Sequence, residues 1–219
     1  MLAGLSFRMR DFRTDVRAVA ATEFAIVLPF MLVLFLGGVE FGNGLAINVK
    51  VSETSHSVAD MVAQNTQVAG TRMQAILGAA TAIMAPYPTT DSNGSLMTVT
   101  VSEVSTDSNG NATVQWSEST SSTGSRPVGQ TMTLSAFTSN TTPVNANISL
   151  ILAEVFYTYK PNLGYGIMGN VTLSDSYYLF PRCSTNSPTS SSFPYYDVKY
   201  SRTLTTTCTC IQHLQQKSC

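Results

Sequence analysis

The chain has 219 residues, of which 43% are hydrophobic and only 11% charged; that is enough apolar content for one globular core and unusually little charge for a cytosolic enzyme. A formal net charge of -1 gives no global attraction to a polyanion, because counterion-driven binding needs clustered Lys and Arg, so DNA and RNA are excluded as partners. Ser and Thr stand in for the missing charges across most of the second half, a bias that suggests export.

The first element is an apolar helix. Four of the twelve basic residues (Arg8, Arg10, Arg13, Arg17) precede it and the next is Lys50, so the positive-inside rule keeps a basic leader, residues 1–17, in the cytoplasm and sends the rest outward. From Phe24 to Val39 every residue is apolar, Gly or Pro, and counting back to Ala18 gives 22 residues. At about 1.5 Å per residue that is roughly 33 Å, against a hydrocarbon core of about 30 Å. A transmembrane helix is therefore predicted over 18–41, with Pro29 as a kink rather than a stop. A removable signal peptide has a shorter apolar region followed by a small-x-small cleavage site, for which Gly44-Leu45-Ala46 is a poor match, so the segment reads as a retained membrane anchor. Glu23 lies inside it. A carboxylate there needs a partner or a proton; it can snorkel to the interface or Arg17, or meet the new amine that a cut between Ala18 and Val19 would create.

Residues 42–86 read as an outward helical region. Ile47, Val51, Val58, Met61 and Val62, then Met73, Ile76, Leu77, Ala80 and Met84, recur at helical spacing, giving two helices or one kinked at Gly70, ended by Pro86 and Pro88. Glu53, His56 and Asp60 share one face of this region and read as a solvated surface rather than a metal site.

Residues 95–182 read as an antiparallel sheet. Met97, Val99 and Val101 alternate with Thr98, Thr100 and Ser102, and Asp107-Ser108-Asn109-Gly110-Asn111 supplies hairpin chemistry before a second strand, Ala112 to Ser117. A third strand, Ile148 to Tyr159, is apolar on both parities and so is expected to be central and covered on both faces. A fourth runs from Val171 to Phe180. The Ser/Thr-rich stretches Glu118–Ala146 and Ser184–Ser192 read as surface loops. The tail, 183–219, carries Cys183, Cys208, Cys210 and Cys219, an even number that favours disulfides in an oxidising compartment over a metal site. Cys208 and Cys210 are too close to pair with each other, so each pairs with Cys183 or Cys219, which leaves two connectivities. The fold class is α+β: one membrane helix continuing into amphipathic helices, then a mainly antiparallel sheet of about four strands.

Neither histidine, His56 or His213, sits in a catalytic motif, and no phosphate-binding glycine loop is visible. No enzyme activity, cofactor or metal is expected. The segment RAVAATEFAIVLPFMLVLFLGGVEFG, Arg17 to Gly42, with its acid-aromatic pairs Glu23-Phe24 and Glu40-Phe41, resembles the TadE/TadG-like family of tight-adherence (Flp) pilus assembly proteins. A second block, Ala153 to Arg182, is similar to that family's C-terminal strand pair ending in Pro-Arg. The likeness is to the short form, without a von Willebrand-type domain. It implies a pilin-like layout and a minor pilin or pseudopilin-type component in the bacterial inner membrane. Its implied partners are membrane lipid, other pilus assembly subunits, and a prepilin peptidase acting at Ala18-Val19, where Ala18 stands in place of the usual Gly. The other reading of the residues is a membrane-anchored binding module that presents its Tyr-rich C-terminal surface.

Overall fold

The computed structural model describes residues 17–133, 146–161, 169–183 and 198–210. The chain divides into two units, Met1–Leu45 with Pro161–Gly169, and Ala46–Lys160 with Asn170–Cys219. Helix α1, Arg17–Ala63, is one unbroken helix that passes through Pro29. It contains the whole expected span and is long and apolar enough to cross a membrane.

In the first unit the helix shows bare apolar side chains on every face. Val27, Phe30, Leu34 and Phe35 are all exposed, Leu34 to 76%. Each such side chain left in water forgoes about 1.5–3 kcal/mol of burial, and so dense an exposed run is stable only where the surrounding solvent is itself apolar. A lipid bilayer meets that condition, and a helix satisfies its own backbone there.

In the second unit α1 reverts to water-soluble logic. Ile47, Val51, Val58 and Val62 are buried on one face. The helix ends where Asn65 donates through its side-chain amide to the Met61 and Val62 carbonyls at 2.7 and 3.3 Å, satisfying two carbonyls left without partners at a C-terminus. The chain then forms strand β1, Asn65–Val68, before helix α2, Gly70–Ile83. Of the two expected alternatives, two helices or one kinked at Gly70, the chain takes the first, with an unexpected strand between the helices. Strand β1 exists because distant segments pair with it: parallel with β9, Lys199–Tyr200, and antiparallel with β10, Cys208–Thr209. Gly70 serves close approach, since a Cβ there would lie 2.5 Å from the Arg202 carbonyl oxygen. Helix α2 buries Met73, Ile76, Leu77 and Ala80.

After a two-residue hairpin, β2 (Thr90–Asp91) with β3 (Gly94–Ser95), the main sheet is built from β4 (Met97–Thr106), β5 (Ala112–Ser119), β6 (Thr131–Met132), β7 (Ser149–Tyr159) and β8 (Val171–Leu179), in the order β6-β5-β4-β7-β8. All its pairings are antiparallel. The four expected strands are present, with the short β6 added at one edge. The Asp107–Asn111 turn joins β4 to β5 as expected, with Gly110 at φ 81°. Strand β7 lies between β4 and β8, and its apolar residues divide between two cores. Ile151, Ala153, Val155 and Tyr157 join the helix-side core with Val99, Val101 and Met73, while Leu150 and Leu152 join Val104 and Val114 on the opposite face.

A bulge decides the register of β5. Glu103 pairs with Trp116 and Val104 with Val114, so Gln115 is the extra residue. It lets Trp116 face the helix-side core while Val114 and Ala112, on the same parity in sequence, face the other. The stretch expected as a loop from Glu118 is corrected at both ends of its described part. Strand β5 continues to Ser119, and residues 120–130 fold back on the sheet, with Thr100 donating to the Gly124 carbonyl at 3.2 Å. Residues 134–145 and 184–192 of the expected loops lie outside the described residues, as does Cys219.

Candidate assembly surface and its supports

On the anchor, Val19 and Phe24 are exposed, as is Glu23 between them. Thr22 returns its hydroxyl to the Val19 carbonyl at 2.8 Å, so it adds no free donor to the surface. The side chain of Ala18 lies outside the described residues. Glu23 has no hydrogen-bond or ion-pair partner among the described residues, which leaves a lone carboxylate on a bare apolar helix. Glu40 differs: it is 8% exposed and engaged, while its neighbour Phe41 is exposed. The two acid-aromatic pairs thus present one free acid and one buried acid. At 3.6 residues per turn the two glutamates are roughly 25 Å apart along the axis and about 100° apart around it.

In the second unit the face containing Glu53, His56 and Asp60 is not simply solvated. Lys50 pairs with Glu53 at 2.8 Å. His56 stacks on Tyr177 of β8 with ring centroids 3.7 Å apart, and Ser55 donates to Asp175 of the same strand. Asp60 pairs with Arg182, whose backbone N–H also donates to the Ala63 carbonyl at 2.9 Å. The Pro-Arg that closes the second sequence block therefore holds β8 to the end of α1.

Sequence reasoning missed three buried carboxylates, all on the sheet. Glu103 accepts from Trp116 Nε1 at 2.6 Å, from the Val198 N–H at 3.1 Å and from the Ser149 hydroxyl. Trp116 Nε1 also reaches the Val198 carbonyl at 2.7 Å. Glu118, placed in a loop by sequence, is 3% exposed; Arg202 grips it through Nε and Nη2, both at 2.8 Å, and Tyr200 donates to it at 2.8 Å. Burial first, and then this carboxylate, push the Tyr200 phenol up from its ordinary value. Arg126 holds Glu154 by a matching fork at 2.8 and 2.6 Å, and that hydrogen bonding raises the guanidinium further above its usual range.

Each carboxylate fastens a segment of irregular backbone to the sheet: Glu103 and Glu118 hold residues 198–202, and Glu154 holds the stretch around Arg126. A buried acid is tolerated only when its polar atoms find partners: Glu118 and Glu154 are ion-paired with Arg202 and Arg126, and Glu103 is hydrogen-bonded by neutral donors. A signal was available in the sequence, because Glu103 continues the parity of Met97, Val99 and Val101 and so points into the same core. The disulfide reinforces the arrangement. Cys183 bonds to Cys210 with their Cα atoms 5.8 Å apart, which selects one of the two connectivities left open, and Cys208 is disulfide-bonded as well.

The first unit is thus an apolar helix whose Glu23 is unpaired among the described residues, and the second is a stapled α+β unit. In a comparison with protein families, residues 18–60 match the model for TadE-like proteins. Neither the curated proteins nor the solved structures yield a match. The matched residues lie wholly within α1 and include Glu23, Glu40 and Asp60.

Proposed function

Starting from a TadE-like N-terminal helix, whose family implies involvement in Tad pilus assembly, we propose that this protein is a minor pilin or pseudopilin-type component of the tight-adherence pilus machinery and has no catalytic role. It sits in the bacterial inner membrane as a single-pass protein, N-terminus cytoplasmic and the second unit periplasmic. The observation that carries the reading is the coincidence of the family match with the bare apolar half of α1. The orientation follows from the arginines before the span, and bonded Cys183 and Cys210 suit an oxidising compartment.

The helix acts by packing laterally against helices of other pilus assembly subunits. Glu23 is the register element: in hydrocarbon a lone carboxylate costs a few kcal/mol, and a partner amine or guanidinium at the matching depth removes much of that cost. Because Glu40 is already engaged and lies on a different side of the helix, it supports the anchor rather than the partner contact. A prepilin peptidase cutting at Ala18-Val19 would place the new amine five residues before Glu23 and supply one such partner.

Glu23→Gln and Glu23→Ala are expected to leave membrane insertion intact and to reduce co-purification with pilus subunits severalfold. Unchanged co-purification would sink the register role. N-terminal sequencing of the membrane-extracted chain reads the processing step directly: a start at Val19 supports cleavage, and a start at Met1 establishes an unprocessed anchor.

A further inference from the structure

The hairpin β2–β3 buries none of its four strand residues, yet its sequence, Asp91-Ser92-Asn93-Gly94-Ser95, combines two patterns. One is Asn-x-Ser, the acceptor motif for N-linked glycan transfer. The other is an acidic residue two positions before the acceptor, Asp91, whose carboxylate is ion-paired with Lys160.

A further acceptor motif, Asn140-Thr141-Thr142, lies outside the described residues; the structure sorts the others by whether the acceptor and the hydroxyl residue two positions on can leave the fold together. After Asn147 the hydroxyl is Ser149, 2% exposed and bonded to Glu103. After Asn111 it is Thr113, held in the ladder between β4 and β6. After Asn170 it is Thr172, paired with Thr158 of β7. After Asn93 it is Ser95, exposed, its backbone paired only within its own two-residue hairpin, where Thr90 faces Ser95 and Asp91 faces Gly94, and its hydroxyl donating to the nearby Met97 carbonyl at 2.6 Å. Asn93 itself is exposed at the tip.

The second copy of the tetrapeptide, Asp107-Ser108-Asn109-Gly110, provides an internal comparison. Both turns are closed alike, with the Asn93 N–H donating to Asp91 Oδ1 and the Asn109 N–H to Asp107 Oδ1, each at 2.8 Å. The second copy is followed by Asn111 and has no hydroxyl at that position, so it has the same local turn without the motif.

We propose that Asn93 is a glycan acceptor on the periplasmic face, an inference that rests on the outward placement of the second unit. In the step, the Asn93 amide nitrogen bonds to the anomeric carbon of a lipid-linked oligosaccharide. The anomeric carbon–oxygen bond to the lipid diphosphate breaks, the diphosphate leaves with the electron pair, and the displaced amide proton passes to a carboxylate of the transferase. A glycan there projects from a hairpin tip.

The test is mass spectrometry of the full-length chain, extracted from the membranes of its host cells and digested without reduction. A carbohydrate increment is expected on Asn93 and none on Asn109. It should be lost completely in Asn93→Gln and Ser95→Ala and retained in Ser95→Thr. An Asn93 without carbohydrate, including one converted to aspartate, overturns the proposal, as does an increment that survives Ser95→Ala. The Cys183–Cys210 crosslink in the same digest separates two failures. A bare Asn93 beside a formed crosslink overturns the glycan alone, and a bare Asn93 beside reduced cysteines overturns the outward placement as well.

Discussion

Along the membrane stretch of α1 and across the main sheet, the ordinary rule of burial is inverted in opposite directions. Phe30, Leu34 and Phe35 stand bare, while Glu103, Glu118 and Glu154 are buried. The helix half offers apolar area with no protein to cover it, so its surroundings must be apolar. The sheet offers charges with no water, and therefore needs built-in donors: an indole and a backbone N–H for Glu103, guanidinium forks for Glu118 and Glu154. The comparison teaches that exposure alone does not identify a functional surface. A sharper mark is a group without a partner among the described residues, and on the anchor that group is Glu23.

The sheet side of the comparison breaks most completely at Trp116. Truncation to Ala empties a core position and removes the donor shared by Glu103 and Val198, with an expected loss of about 3–5 kcal/mol from the cavity alone. Thermal unfolding of the full chain in detergent, followed by circular dichroism, measures it, since the mutation removes the only Trp. Membrane retention should be unchanged. The anchor side breaks with Leu34→Arg, which at the centre of a span costs about 2.5–3.5 kcal/mol in insertion. The expected outcome is a carbonate-extractable fraction that wild type lacks, with the sheet's unfolding transition unmoved. Should both variants shift both readouts, the two regions do not obey separate rules.

A smaller effect sharpens how the segment around Arg202 is held. Gly70→Ala forces a Cβ against backbone rather than against a flexible side chain, and overpacking of this kind costs about 1–3 kcal/mol. Faster hydrogen exchange is expected at Gly70, whose N–H donates to the Leu204 carbonyl at 3.0 Å, and at Leu204 itself. The β4–β7 ladder should keep its protection.

The membrane helix, the β4–β5 hairpin and the central position of β7 were legible because each is written locally, in an apolar run, in turn residues, or in apolar side chains on both parities. Strand β1 was not, because Asn65–Val68 becomes a strand only by pairing with residues more than 130 positions away in sequence. The Gln115 bulge was hidden as well: Ala112, Val114 and Trp116 read as one face, and only the pairing with Glu103 and Val104 shows that they serve two. Of the candidate site, Glu23 was legible as an anomaly in an apolar run and Glu40 as part of an acid-aromatic pair, but that Glu40 is engaged while Glu23 has no partner among the described residues depends on tertiary structure. The loop assigned from Glu118 onward failed for a related reason, since Ser and Thr mark solvent only when no hydroxyl partner faces them, and Thr100 and Ser119 face each other at 2.9 Å.

The smallest effect concerns a carboxylate that, unlike Glu103, stays in water and is nonetheless engaged. Asp107 closes the β4–β5 turn by accepting from the Asn111 side chain and from the Asn109 and Asn111 N–H groups. The Asn111 side-chain bond first, then the backbone bonds, hold its carboxyl below the ordinary carboxylate value. A carboxyl depressed in the folded state contributes stability that is fully present above its unfolded value and is lost as pH falls through the folded one. The Asn109 and Asn111 amide resonances should therefore stay constant from neutral pH down to the ordinary carboxylate range and move only below it. In Asp107→Asn the acid-driven movement should vanish. Titration of those amides by NMR decides it, and movement beginning well above the ordinary carboxylate range would show that the turn is governed by some group other than Asp107.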